Sequence, residues 1–272
     1  WQVNLPVAGY TDGFGGAPYG LHGETALLDW DTTVARDDGE AVALRLETEL
    51  VRYPLSVERE LTLRAGESTL RVDETVENEG GVEVPYIYQQ HLALRPPLLG
   101  PGARLDLPAE TGVLDPEPSP NARHPAGEEF AWPTAPRAGG GTVDFSRFPG
   151  RDAAAHDMAY ATDLDAGWYA VTNPDIDLGF AFAFPTDPFE CVWYWGAFGG
   201  VEVTPYFGRN YNVGLEPTSA YPGGDIPDAQ RANGTLKTLA PGGTIESAFA
   251  ATTYRGVESV ASVTADGEVR EE

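Results

Sequence analysis

The sequence predicts an all-β fold of antiparallel strands, and three features of it carry that prediction. Apolar residues recur with period 2 through several long segments. No window sustains the 3.6-residue period of a helix. The 32 glycines and 23 prolines gather largely between the alternating segments, where turns belong.

The elements follow in chain order. Val42, Leu44, Leu46 and Leu50 alternate with Arg45, Glu47 and Glu49. Leu55, Val57, Leu61 and Leu63 then alternate with Ser56, Glu58, Glu60 and Thr62. After a turn at residues 65–68, Leu70, Val72 and Val76 alternate with Arg71, Asp73 and Thr75. Such strands pair antiparallel with one face in water. An aromatic strand, Pro85-Tyr-Ile-Tyr-Gln-Gln-His91, puts Ile87, Gln89 and His91 on one face. Residues 168–172 and 178–184, joined by Asn173-Pro-Asp175, form a second, mostly buried hairpin. Further strands are expected at 191–195, 201–204 and 247–253, and residues 153–155 support one helical turn at most. Neither a repeat nor a break in composition divides the chain, so 1–272 reads as one domain, with a Pro/Gly-rich irregular region at about 95–150.

The chain carries 42 acidic and 17 basic residues for a net charge of −25, and Lys237 is its one lysine. Without a basic stripe it is not expected to bind nucleic acid or an anionic membrane. The acids are spread through sequence rich in aromatic and β-branched residues, unlike a disordered acidic tail. They fit the surface of a salt-adapted cytoplasmic protein, because molar salt shortens the screening length to about 3 Å. No apolar run of spanning length is present, and the N-terminus has no signal-peptide pattern. The single cysteine, Cys191, excludes an intramolecular disulfide and suits a reducing compartment.

Candidate chemistry centres on Tyr206-Phe-Gly-Arg-Asn-Tyr-Asn-Val-Gly-Leu-Glu-Pro217. In a strand, Asn210, Asn212, Gly214 and Glu216 share one face, and the pairing is expected to end at Pro217. A polar, amide-flanked face ending in a carboxylate could bring a base to a hydroxyl-rich ligand; the plainer reading is one exposed acid among 42. His22, His91, His124 and His156 each read singly as structural or exposed. Trp193 and Trp195 read as core, or as a platform for sugar rings beside amides and acids. No spacing of metal ligands stands out and no Gly-x-Ser-x-Gly elbow occurs. Gly13-Phe-Gly-Gly16 lacks the Lys-Ser/Thr of a phosphate loop.

Several of these pieces occur together in the order seen in the aldose 1-epimerase (galactose mutarotase-like) family. Leu21-His-Gly23 resembles its Leu-His-Gly-Gly segment, with Glu24 in place of the second glycine. Gln90-His91 resembles the end of the strand bearing its general acid. Asp157-Met-Ala-Tyr160 is similar to an Asp-x-x-aromatic element whose Asp binds sugar hydroxyls. Gly214-Leu-Glu-Pro-Thr218, followed by Tyr221-Pro-Gly223, resembles the segment of the general base, and Leu239-Ala-Pro-Gly-Gly243 the turn opening the last strand. The resemblance implies a large antiparallel β-sandwich of the supersandwich type. It implies a mutarotase of an aldose working without a cofactor, with Glu216 as base and His91 as acid. His22 and Asp157 would hold the monosaccharide. Gln89, Asn212, Arg209 and Trp195 join them as substrate-binding candidates from strand position. The family's substrate-binding arginine has no counterpart before His22; Arg36 and Arg209 are the residues that could replace it. A non-catalytic carbohydrate-binding protein, and an epimerase of a phosphorylated or sulfonated hexose, are the alternatives.

Overall fold

A computed structural model describes residues 1–9, 18–223 and 227–272; Gly13 to Gly16 lie outside the described residues. Two eight-stranded antiparallel sheets dominate. One runs in the order Asp31–Asp37, Ala41–Glu49, Leu55–Arg64, Thr69–Asn78, Thr244–Tyr254, Leu178–Ala183, Trp168–Asn173, Arg104–Asp106. The other runs Gln2–Asn4, Gln89–His91, Tyr211–Thr218, Cys191–Phe198, Ala155–Leu164, Ala109–Leu114, Glu129–Ala131, with Ala93–Leu94 beside Tyr211–Thr218. Val57, Val72, Val76, Phe182 and Phe249 of the first sheet pack with Val192, Tyr194, Val213 and Leu215 of the second in one apolar core. Sandwich architecture follows from these two inner faces.

The predicted pairings at 42–50, 55–63 and 70–76 form a continuous meander. Its inward parity is as the alternation demands, but burial fades toward one end. Val57 is buried, while Val42 and Leu63, paired to each other, are exposed. The second hairpin closes through a 3-10 turn, Pro174–Ile176, capped by the Asn173 side chain accepting from Asp175 N. Two expectations fail. Residues 201–204 form turns, not a strand: Tyr206 N and Phe207 N both bond Val203 O, after Gly199 and Gly200 and before Pro205 have removed strand-favouring residues. The aromatic segment 85–91 splits into Val84–Tyr86 and Gln89–His91, which pair in different sheets. A six-residue helix, Pro227–Ala232, was also not foreseen. Among the described residues no helix is long and apolar enough to cross a membrane.

Candidate active site

The outer face of the second sheet is built by register. Glu216 lies opposite Trp193, and Gly214 opposite Trp195, which in turn faces Met158. Asn212 lies opposite Ala197, which faces His156. Thr218 lies opposite Gln89, so antiparallel pairing brings His91 beside Glu216. The inner face keeps Val213 and Leu215 in the core. The strand predicted to stop at Pro217 continues through it, with Pro217 opposite Val192 and Thr218 opposite Cys191.

His91 Nε2 lies 3.3 Å from Glu216 Oε1. The Glu216 carboxyl folds back over Gly214, where a Cβ would stand 2.1 Å from Oε1. Only a residue without a side chain leaves that space. Burial pushes Glu216 up to about 8 and His91 down to about 4, because each loses hydration of its charged form. Around neutral pH the pair therefore carries one proton, and both directions place it on the carboxyl. His91 is held from behind. Its neighbour Gln90 points into the sandwich, donating to Glu74 Oε1 at 2.9 Å and accepting from Trp1 Nε1 at 2.6 Å. Glu74 is itself buried and paired with Arg59 at 2.5 Å.

His22 meets His91 edge to face with ring centroids 4.8 Å apart. It sits at φ 67° in a turn where Gly23, at φ 74°, passes so close to Leu5 O that a Cβ would lie 2.3 Å from it. Gly9 N donates to His22 Nδ1 at 3.3 Å, which leaves the ring proton on Nε2. Burial, then the neighbouring His91, pushes His22 down to about 3. Glu24, next along the chain, is buried and paired with Arg52 at 2.6 Å.

The other predicted residues divide. Trp195 and Asn212 lie on the Glu216 face and are half-buried. Gln89 lies on that face but is buried, accepting from Asn4 Nδ2 at 2.6 Å and donating to Thr218 Oγ1 at 3.1 Å. Arg209 is exposed in the loop before the strand, donating to the carbonyls of Tyr206 and Pro205. Arg36 stands on the edge strand of the first sheet, paired with Asp38 at 2.5 Å. Asp157 is not brought to that face. It lies opposite Gly196, which puts it on the core side of the sheet, fully buried and paired with Arg123 at 2.7 Å. Its neighbour His156 occupies the Glu216 face instead, accepting the Trp195 indole N–H at 2.9 Å. The sequence offered no sign of this, since choosing between adjacent residues requires the cross-strand register. Trp193 is core, its indole donating to Ala220 O. Among the described residues no group of three or more His, Cys, Asp or Glu side chains is arranged to hold a metal ion.

Solved structures share this architecture at low sequence identity. The Slr1438 protein of Synechocystis sp. PCC 6803 matches with a TM-score of 0.65 and 15% identity, over 93% of this chain and 78% of its own. A "putative aldose 1-epimerase" of Escherichia coli K12 matches at 0.64 and 21%, over 93% and 83%. A galactose mutarotase-like protein of Lactobacillus casei ATCC 334 matches at 0.63 and 16%, over 93% and 84%. These likenesses establish the fold, which is the galactose mutarotase-like one. No curated protein matches the chain in sequence. Residues 7–252 match the family described as a domain of unknown function, DUF4432, and the chain belongs to that family.

Proposed function

We propose that the protein is a sugar mutarotase that interconverts the α and β anomers of an aldose, with residues 1–272 acting as one sugar-handling domain. The observation that supports this best is the 3.3 Å approach of His91 Nε2 to Glu216 Oε1, with both side chains largely withdrawn from water. Ring opening needs a base at the C1 hydroxyl and an acid at the ring oxygen. Both oxygens are bonded to C1, so the two catalytic groups must be close neighbours.

Glu216 removes the O1 proton while His91 gives its proton to the ring oxygen, and the C1–O5 bond breaks as the C1–O1 carbonyl forms. Rotation about C1–C2 presents the other face of the aldehyde. O5 then adds back to C1, returning its proton to His91 while Glu216 returns one to O1. Protons balance over the cycle. The single proton that rests on Glu216 in the free pair must reach His91 before opening, and the short gap between them provides the path. Positioned proton transfer of this kind contributes about 10²–10⁴-fold. Trp195 and Asn212 line the floor for the ring, and His22 flanks His91. Arg209 spends its guanidinium on its own loop, so an uncharged monosaccharide is favoured over an anionic one.

Polarimetry and exchange NMR on a panel of aldoses test the proposal. Glu216→Gln is expected to keep the fold and sugar affinity and lose all acceleration over the spontaneous rate, with a comparable loss for His91→Asn. Undiminished catalysis by Glu216→Gln removes it from the role. Sugar binding by the wild type without mutarotation would instead assign a carbohydrate-binding protein.

A further inference from the structure

We propose that His156, held by Trp195 and faced by Asn212 across Ala197, is a second polar subsite, which binds the ring hydroxyls of the sugar that lie farthest from C1. This rests on the mutarotase reading for where C1 sits. The placement comes from register. The Glu216 carboxyl leans over Gly214, in the row Gly214, Trp195, Met158. The row Asn212, Ala197, His156 lies two residues further along the strands, or about 6.6 Å away. A pyranose with C1 at the Glu216 row is large enough to bring the hydroxyls across its ring within reach of side chains in that second row. In the distal row the polar residues stand on the two outer strands of three, and the middle one carries only a methyl group. Ala197 is itself buried, and the half-buried His156 and Asn212 flank it. Tyr206 stands beside them, its ring 5.6 Å from that of Trp195.

The chemistry of His156 is set by its partner. The indole N–H can only donate, so its 2.9 Å contact makes His156 Nε2 an acceptor and leaves the ring proton on Nδ1. Accepting a second proton would break that bond. Burial also pushes His156 below its ordinary value, against the pull of Asp157 and Asp115 and with the push of His124. A neutral imidazole with one fixed donor suits a hydroxyl oxygen and gives no advantage to an anion. Asn212 Oδ1 accepts from Asn210 Nδ2 at 3.4 Å, which orients the Asn212 amide.

Dissociation constants, measured by calorimetry or NMR titration, test the proposal apart from catalysis. The probes are D-galactose, D-glucose, D-xylose and L-arabinose, with the 3-deoxy and 4-deoxy forms of whichever binds. His156→Leu is expected to weaken the parent sugar about tenfold, the loss of a neutral hydrogen bond, and to leave one deoxy analogue unchanged. His156→Gln, which keeps an acceptor for the indole and a donor for the sugar, should stay within about threefold of wild type. Equal weakening of parent and deoxy sugars, or none, overturns the subsite. Should the leucine variant not fold, Asn212→Ala read against the same sugars decides in the same way. A coupled loss in a protein that does not mutarotate leaves the subsite standing and removes the epimerase. Mutarotation without the coupling does the reverse, and a wild type that binds none of the probes overturns both.

Discussion

Replacing Glu216 by glutamine keeps the shape of the side chain and removes its proton equilibrium, so it separates the cost of ionising a buried carboxyl from everything else. Burial raises Glu216 from its ordinary 4.5 to about 8. The folded protein then holds a proton that the unfolded chain releases. This contribution to stability is complete below about 4.5 and is lost as the pH rises through about 8. Between pH 6 and pH 9 the loss amounts to about 3 kcal/mol. For a chain of this size that corresponds to roughly 5–10 °C in Tm. His91, pushed down to about 4, has the opposite sign: its contribution is present above its ordinary 6.5 and fades as the pH falls through about 4. It stands in both proteins and cancels to first order in their difference. The assay is thermal unfolding of wild type and Glu216→Gln from pH 6 to pH 9 in constant molar salt. The wild type should lose ground steadily to the variant as the pH rises. A difference in Tm that does not change with pH would refute the reasoning, because it would mean that Glu216 is ionised throughout and that no proton rests on it.

Gly214→Ala sets a Cβ 2.1 Å from Glu216 Oε1, and the flexible carboxyl end must give way. Little stability should be lost, while kcat falls about tenfold or more as the acid and base separate, read by polarimetry; an unchanged kcat shows that the carboxyl works from elsewhere. Asp157→Asn strands the Arg123 charge and should cost about 3–5 kcal/mol in denaturant unfolding, with sugar affinity unaltered. Lost affinity at full stability would restore Asp157 as a sugar ligand. With a net charge of −25, self-repulsion should ease as salt screens it, so Tm should rise between 0.1 M and 3 M KCl. A flat response in differential scanning calorimetry would deny the acidic surface that part.

How much of this was legible depends on which distances a strand pattern encodes. Period 2 is local, so the meander of 41–78 and the polar face of 211–218 could be read directly. The meeting of Glu216 with His91 could not, since it depends on Thr218 lying opposite Gln89, a register between segments 129 residues apart. Only the ordered resemblance put those two residues in one site. That same resemblance named Asp157, a residue type at an offset, and the register turns that side chain to the core side of the sheet. A strand assigns its two faces by single steps, so a motif can be right about the strand and wrong by one about the side chain. His156 gains the site face by that one step. Gly214 illustrates the other limit. A glycine two residues before a carboxylate reads as weak strand sequence, and its use, an empty volume into which Glu216 folds, exists only once the side chain is placed. Val42 and Leu63 carry the alternation of a core strand yet stand in water, because the pattern specifies which way a residue faces and not whether the opposing sheet extends far enough to cover it. The site was therefore legible as a set of strands and illegible as a set of contacts, and the contacts are what Gly214→Ala and His156→Leu probe.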